Sequence, residues 1–239
     1  MFDSISVSNL ISSIKTLLST EQTSYPDRMI SVSGFFLFVL VGLLATGCQP
    51  EIANEQLLNS LDSELIPDYE TLTPYADSLR SVVQVVVEIP VGSNDKIEFN
   101  KQSLLFELDR TIAYLPYPIN YGFIPGTLSD ASSGGDGDPA DVLLLSTRVP
   151  TGTVMAGYAV ATLKLIDRGE EDVKVLVIPV DSTLRVLPCD SWECITSSYP
   201  QVPNLIEDWF LSYKGTNITI SEGWANTEET ILIIQRHIP

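Results

Sequence analysis

Histidine, cysteine and basic residues are scarce in this sequence, and each shortage argues against a class of function. His237 is the single histidine among 239 residues, which argues against a histidine-based catalytic triad or a histidine-rich zinc site. Lysine and arginine number 13 against 31 aspartate and glutamate residues, a net charge of −18. General nucleic-acid binding needs a basic face, so we expect no nucleic-acid partner. A hydrolase with this composition would have to use carboxylates and hard metal ions.

The composition is otherwise that of a folded protein. Hydrophobic residues make up 44% of the chain and aromatic residues 8%, which argues against disorder. A chain of 239 residues is long enough to bury a sizeable core. We expect a single folded domain behind an N-terminal leader and a tether.

Long apolar runs are also rare, and the longest one lies near the N-terminus. Residues 35–45 are uncharged and apolar, and Thr46, Gly47 and Cys48 follow them. As a helix this run would span about 16 Å, well short of the roughly 30 Å hydrocarbon core of a bilayer. Its length suits the hydrophobic region of a signal peptide. The small residues before Cys48 resemble the lipobox of bacterial lipoproteins, in which the cysteine is lipidated after cleavage.

This resemblance predicts that residues 1–47 form a leader and that the protein is anchored outside the cytoplasm through Cys48. The match is imperfect, because Ala45 stands where a lipobox prefers leucine. An uncleaved membrane anchor over residues 30–44 and a buried helix are the alternatives. Translation could begin at Met1 or at Met29.

The remaining two cysteines, Cys189 and Cys194, are five positions apart in a segment that we expect to be a loop. In an oxidising compartment they could form a small disulfide. They could equally be free thiols, because spacing alone does not fix geometry. The disulfide is our expectation.

Residues 48–80 are polar, acidic and interrupted by prolines, which predicts a tether with one or two short helices. Residues 81–239 form the predicted folded domain. Apolar and β-branched runs predict strands at 82–87, 104–108, 142–145, 154–166 and 173–180. Apolar spacing predicts a helix over 203–213, and Asn226 with Glu229 resembles a capping box. This pattern indicates an α+β, β-barrel-like domain.

Three clusters of charged residues are candidates for chemistry. Asp136, Asp138 and Asp141 lie within six positions, so their mutual repulsion would be relieved by Mg²⁺, Mn²⁺ or Ca²⁺. A surface turn explains the same spacing. A second cluster consists of four acids that come before Lys174 in the chain, and a solvated acidic hairpin explains this cluster equally well. The alternation of Lys96 and Glu98 fits an exposed ion pair. The four acids before Lys174 are Asp167, Glu170, Glu171 and Asp172.

Taken together, these clusters resemble the soluble family I inorganic pyrophosphatases over about residues 86–229. The motifs occur in the order of that family. They are Glu88-Ile89-Pro90, Lys96-Ile97-Glu98, Leu108-Asp109-Arg110, Tyr117-Pro118-Ile119-Asn120-Tyr121-Gly122, Asp136-Gly137-Asp138-Pro139-Ala140-Asp141, Asp167 to Lys174, Tyr213-Lys214 and Glu222-Gly223-Trp224.

The resemblance implies a five-stranded, OB-like β-barrel with flanking helices that hydrolyses pyrophosphate with Mg²⁺, Mn²⁺ or another divalent cation. It implies that Asp138 activates the attacking water, with Lys96 and Arg110 also catalytic. The implied metal ligands are Asp136, Asp141 and Asp172 for a first ion, with Asp141 shared by a second. The implied ligands of the metal ions that arrive with substrate are Asp167 and Asp172, assisted by Glu98. Glu88 is implied to belong to an outer shell of acidic residues. The implied phosphate ligands are Lys96, Arg110, Tyr121, Lys174, Tyr213 and Lys214, with Tyr117 supporting the pocket.

The resemblance also implies a homo-oligomer of unspecified size. The loop 129–135 is longer than in compact bacterial members, and Ile97 and Phe99 occupy positions that are often tyrosine. Two other functions remain open from the sequence. One is a lipid-anchored phosphate- or metal-binding protein without turnover. The other is a hydrolase acting on other phosphoanhydrides, such as nucleotides or polyphosphate.

Overall fold

The computed structural model describes residues 67–78, 82–129, 137–216 and 218–239. The predicted leader, the predicted lipidation site Cys48 and the predicted metal ligand Asp136 lie outside these ranges. All the described residues belong to one structural unit, residues 61–239. In the described ranges, no helix is long and apolar enough to cross a bilayer.

A mixed sheet dominates this unit. Its strand order is β1-β2-β5-β6-β8-β7-β9, and β7 also pairs with β2. All of these pairings are antiparallel except that of β6 with β8, which is parallel. Strands β3 and β4 form a separate antiparallel hairpin. The strands are β1 Tyr75–Asp77, β2 Val82–Ile89, β3 Asp95–Asn100, β4 Leu105–Thr111, β5 Asn120–Phe123, β6 Asp141–Leu144, β7 Val154–Asp167, β8 Glu170–Pro179 and β9 Thr219–Ala225.

Three α-helices follow the central strands within the described part of the chain. Helix α1 spans Trp192–Ser198, α2 spans Gln201–Ser212 and α3 spans Thr227–Arg236, with a 3₁₀ turn at Ser182–Leu184 before them. The predicted capping box is confirmed, because the Asn226 side chain accepts a hydrogen bond from the Glu229 N–H. The predicted helix over 203–213 is confirmed as α2, which begins two residues earlier.

The long strands carry the core, as their composition predicts. Strand β2 is buried at every position except Gln84, and β8 is buried from Val173 to its end. Runs of β-branched residues suit strands that are covered on both faces. Helix α2 buries Ile206, Trp209 and Phe210 against this core.

Two segments differ from the sequence expectation. Residues 67–78 of the predicted tether pack on the domain: β1 pairs with β2, and Tyr69 is buried in an aromatic cluster. Residues 189–194 are not all loop, because Cys194 lies in helix α1. Cys189 and Cys194 are joined by a disulfide with their Cα atoms 5.6 Å apart. The Ser191 side chain caps the N-terminus of α1, and this local contact favours a helix that hydrophobic periodicity alone does not reveal.

Candidate active site

One cleft of about 240 Å³ collects nearly all of the predicted site residues. Its wall also includes Glu170 and Glu171, from the acidic cluster before Lys174, and Lys101, for which no role was predicted. Tyr117 does not line the cleft but is buried beneath it, in contact with the Tyr121 ring. The predicted residues on the wall are Glu88, Lys96, Glu98, Arg110, Tyr121, Asp138, Asp141, Asp167, Asp172, Lys174, Tyr213 and Lys214.

The fold delivers these side chains from the ends of several elements. Glu88 lies near the end of β2, while Asp141 begins β6 and Asp167 ends β7. The parallel pairing of β6 with β8 places Asp141 opposite Lys174. Tyr213 caps the C-terminus of α2. The hairpin of β3 and β4 brings Lys96 and Arg110 to the same rim, since these two residues are cross-strand partners.

Lys174 is the centre of the buried charge network. Its Nζ lies 2.8 Å from Asp141 Oδ2 and 2.8 Å from Asp172 Oδ1, and it donates to the Tyr121 hydroxyl at 3.1 Å. Burial alone would lower the pKa of Lys174, but the two carboxylates raise it well above its usual value. Lys174 is therefore a permanent cation that holds two acids together.

Asp141 lies beside both a cation and another acid, and both affect its pKa. Burial raises its pKa, Lys174 opposes that effect, and the neighbouring Asp172 raises the pKa further. The Tyr121 hydroxyl also donates to Asp141, and burial holds the pKa of Tyr121 well above its ordinary value. Tyr121 therefore acts as an uncharged donor at neutral pH.

The hairpin carries a second group of charges. Lys96 contacts Glu98 and lies 3.3 Å from Asp109, and Arg110 Nη1 lies 2.5 Å from the same Asp109 oxygen. The pKa of Lys96 is lowered by burial but raised overall by Glu98. Asp109 was given no role from the sequence, although it lies in a recognised motif. It holds the two cations at the rim in fixed positions.

Glu88 is buried, with 9% of its surface exposed. Its Oε1 accepts a hydrogen bond from the Phe99 N–H at 2.7 Å. Burial raises the pKa of Glu88 to about 8, the Phe99 N–H opposes this, and the Asp141 charge adds to it. An acid of this kind is neutralised either by a proton or by a cation bound nearby.

The opposite wall pairs one acid with one cation. Asp167 Oδ2 lies 2.7 Å from Lys214 Nζ, and Asp167 Oδ1 accepts from the Thr219 hydroxyl at 3.2 Å. Burial would raise the pKa of Asp167, but Lys214 and Thr219 lower it overall. Asp167 therefore remains ionised at neutral pH, and Thr219 is a supporting residue that the sequence did not identify.

Aromatic rings form the floor under these charges. The Trp209 and Tyr213 rings stack at 4.5 Å, and Trp209 packs on Tyr117 at 4.7 Å. Lys174 Nζ lies 5.3 Å from both the Tyr121 and the Phe210 ring centres. Helix α2 supplies most of these rings, so its burial fixes the position of Tyr213 at the cleft.

The donor set of the cleft fits a hard divalent cation. Its free ligand atoms are carboxylate oxygens, which suit Mg²⁺ or Mn²⁺. In the described residues, Asp141 and Asp172 each use only one oxygen in the network around Lys174. Burial is the main cause of the raised pKa values of Glu88 and Asp141, and neighbouring carboxylates add to it, so a bound cation would favour the ionised form of both acids. The described residues alone do not form a cluster of three ligating side chains.

Carboxylates that face lysine, arginine and tyrosine donors across one cleft are the groups that a hydrolase of phosphoric anhydrides needs. The comparisons with known proteins assign the chain more narrowly. The family model for inorganic pyrophosphatase matches residues 85–239. The chain belongs to the inorganic pyrophosphatase family.

Individual relatives agree with this assignment. The chain is 33% identical over 176 residues to the inorganic pyrophosphatase of Neisseria meningitidis serogroup A, covering 72% of this chain and 95% of the relative. It is 31% identical over 165 residues to that of Synechocystis, covering 67% and 92%. The solved inorganic pyrophosphatase of Neisseria gonorrhoeae superposes with a TM-score of 0.62 at 32% identity, covering 72% of this chain and 97% of that one.

Proposed function

We propose that this protein hydrolyses pyrophosphate to two orthophosphates with the help of Mg²⁺. The observation that carries the proposal is the meeting of the predicted residues in one cleft, in a chain of the pyrophosphatase family. Pyrophosphate is a polyanion, so a protein with a net charge of −18 would repel it unless cations intervene. The cleft can supply positive charge in two ways: through its own basic side chains, and through metal ions that its carboxylates would bind.

Each side of the cleft has a distinct role in this proposal. Lys96 and Arg110 on the hairpin, with Tyr213 and Lys214 at the end of α2, grip the phosphoryl oxygens. The positive charge of Lys96, Arg110 and Lys214 would stabilise the negative charge that grows on the leaving phosphate. Tyr121 and Lys174 contribute donors from the sheet; Asp138 orients the attacking water and takes its proton.

The proposed metal ligands are Asp136, Asp141 and Asp172 for a first ion, with Asp141 shared by a second. Asp167, Asp172 and Glu98 are the proposed ligands of ions that accompany substrate, and Glu88 supports them. Bound Mg²⁺ would lower the pKa of the attacking water and stabilise the negative charge that develops during hydrolysis. Asp136 is included from its motif alone, since it lies outside the described ranges.

The test is phosphate release from pyrophosphate by the full chain with Mg²⁺ and after chelation with EDTA. Arg110→Gln should reduce kcat/KM by at least about tenfold, because a charged hydrogen bond contributes about 1.5–3 kcal/mol. Arg236→Gln, a change in the last turn of α3 away from the cleft, is the matched control. Tight Mg²⁺ binding without any turnover would favour a phosphate- or metal-binding protein instead.

We also propose that the sheet forms a five-stranded, OB-like barrel. Support comes from the pairing pattern, since the chain of neighbours β2-β5-β6-β8-β7 returns to β2. A closed arrangement leaves few unpaired strand edges. A homo-oligomer remains a proposal, and light scattering of the purified protein would test it.

We further propose that Cys48 is lipidated and that the protein is a bacterial lipoprotein outside the cytoplasm. The support is the apolar run at 35–45 followed by small residues and a cysteine. The disulfide between Cys189 and Cys194 fits an oxidising compartment. Metabolic labelling with palmitate should mark the wild-type chain and leave Cys48→Ser unlabelled. Equal labelling of both, or of neither, would contradict the lipoprotein proposal.

A further inference from the structure

The threonine at the start of strand β9 has a buried hydroxyl behind the catalytic cleft. Thr219 is 7% exposed and does not line the cleft. Its hydroxyl donates to Asp167 Oδ1 at 3.2 Å, while Lys214 Nζ lies 2.7 Å from Asp167 Oδ2. Asp167 therefore has one uncharged donor and one charged donor, and each contacts a different oxygen of its carboxylate.

The two donors differ in how firmly the fold holds them. Asp167 ends β7 and Thr219 begins β9, and the two residues are cross-strand partners. The branched side chain of threonine has few rotamers, so the sheet fixes the position of its hydroxyl. Lys214 lies two residues beyond the end of α2, and its ammonium group is carried on a flexible four-carbon stem.

Strand packing alone does not account for the hydroxyl of Thr219. Valine has the same branched shape, suits a strand as well, and would bury no polar group at this position. A buried hydroxyl costs free energy unless it has a hydrogen-bond partner, and the partner that the structure shows is Asp167. The role of Thr219 therefore lies in its contact with Asp167.

The two donors also respond differently when the cleft fills. Here the inference rests on the proposed function, in which Lys214 holds a phosphoryl oxygen and Asp167 binds a metal ion that accompanies substrate. The Lys214 ammonium is then repelled by the cation at Asp167 and attracted by the phosphoryl group, so it exchanges one anion for the other. Thr219 carries no charge, and its hydroxyl is not driven from Asp167.

We propose that Thr219 is a positioning residue, which keeps the Asp167 carboxylate in one orientation after Lys214 has moved to substrate. Without the hydroxyl, the carboxylate loses its remaining donor when Lys214 leaves and must be ordered by the ligand itself. That ordering would weaken binding. In this proposal Thr219 touches neither substrate nor metal and acts only through Asp167.

The test measures the binding of methylenediphosphonate, a pyrophosphate analogue whose P–C–P link resists hydrolysis, by calorimetry with the full chain and Mg²⁺. Thr219→Val should raise the Kd about tenfold, because the hydrogen-bond partners of metal-binding carboxylates contribute at least about that factor. Thr219→Ser keeps the hydroxyl on a less restricted side chain and should stay within about threefold of the wild type. The Mg²⁺ concentration for half-maximal pyrophosphate hydrolysis should rise in Thr219→Val and not in Thr219→Ser.

Thr162→Val is the matched control. It removes another buried threonine hydrogen bond, the 2.9 Å contact from Thr162 in β7 to Thr230, and neither residue lines the cleft. This variant should lose stability but change the Kd of the analogue by less than about twofold, because distant sites act independently.

Wild-type affinity in Thr219→Val, or an equal loss in Thr219→Ser, would overturn the inference. An equal loss in Thr162→Val would also overturn it, since the effect would then follow from lost stability alone. Should Thr219→Val not fold, Thr219→Ala compared with Thr219→Ser decides the same question. A wild-type protein that neither binds the analogue nor hydrolyses pyrophosphate contradicts the proposed function as well, whereas failure of the inference alone leaves wild-type turnover intact.

Discussion

Glu88 accepts a hydrogen bond from the backbone N–H of Phe99 at 2.7 Å, and this contact joins strand β2 of the main sheet to the β3–β4 hairpin. The hairpin carries Lys96 and Arg110, so a buried acid is coupled to the placement of two proposed substrate ligands. The contact provides one oxygen of Glu88 with a hydrogen-bond partner. Ionisation of Glu88 at this buried position still costs free energy.

Replacement of Glu88 by glutamine should therefore stabilise the metal-free protein at high pH. Because burial raises the pKa of Glu88 from 4.5 to about 8, the folded state holds a proton that the unfolded state loses. Wild-type stability should fall by about 3 kcal/mol as pH rises from about 5.5 to about 8, and Glu88→Gln should largely remove that fall. Glutamine keeps an oxygen that can accept from Phe99.

Urea unfolding in EDTA at several pH values measures this difference. The free energy of unfolding of Glu88→Gln should exceed that of the wild type by a margin that grows with pH. Glu107→Gln, on the exposed side of the hairpin, is the control. A margin that shrinks as pH rises would show that Glu88 is stabilised as an anion.

Lys174 should be essential to the metal-free fold. Its side chain is 4% exposed and contacts Asp141 and Asp172, so Lys174→Met leaves two partly buried acids without their cation. We expect a loss of about 3–5 kcal/mol in the free energy of unfolding. Lys164→Met is the matched control, because the exposed Lys164–Glu229 pair should contribute no more than about 1 kcal/mol.

The same pair of variants tests the metal proposal. Mg²⁺ should stabilise the wild type through binding to the folded state. If Asp141 and Asp172 hold the ion, Mg²⁺ should also recover part of the stability lost in Lys174→Met, since a cation again neutralises the acids. Equal stability of the two lysine variants in EDTA would contradict the central role of Lys174.

Tyr69 should hold the hairpin against the sheet. Its hydroxyl donates to the Gly152 carbonyl at 3.0 Å, and its ring lies 5.1 Å from the Phe99 ring and 5.2 Å from the Phe106 ring. Tyr69→Phe should cost about 1 kcal/mol, and Tyr69→Ala about 3–5 kcal/mol. Chemical denaturation measures both, with the exposed Tyr114→Phe as control.

Tyr69→Phe carries a second expectation, on activity. Residues 85–239 match the family model, so Tyr69 lies outside the match. It does not line the cleft itself, although its ring packs on Phe99, which does. If it only stabilises the fold, kcat should be unchanged at a temperature where the variant is folded. Should Tyr69→Ala be as stable as the wild type, the aromatic cluster would not anchor the hairpin.

The sequence predicted the elements with strong local signals. The β-branched run at 82–87 and the apolar runs at 154–166 and 173–180 are strands β2, β7 and β8 in the structure. Short strands were predicted only in part: the run at 142–145 is strand β6, but the four-residue strand β5 was not predicted. The pairing of β5 depends on close approach at Gly122, where a Cβ would lie 1.9 Å from the Val86 carbonyl oxygen. The periodicity of a short sequence window does not indicate which distant strand a residue such as Gly122 will approach.

Most of the cleft followed from motifs, whereas its supporting residues did not. Lys96, Asp141 and Lys174 belong to dense charge patterns that sequence can reveal. Thr219 and Tyr69 act through partners 52 and 83 residues away. Long-range contacts of this kind depend on topology, and no local pattern marks them.

Asp138 is the residue on which the central claim depends most directly. It lines the cleft and is the proposed acceptor of the proton from the attacking water. Phosphate release from pyrophosphate should therefore be measured for the full chain with Mg²⁺, beside Asp138→Asn. Asp190→Asn is the control, because the Asp190 side chain is 69% exposed, pairs with Arg185 and does not line the cleft. We expect rapid turnover by the wild type and control, and a loss of about 10²-fold or more in Asp138→Asn. No turnover by a folded, Mg²⁺-binding wild type, or full activity of Asp138→Asn, would contradict the account.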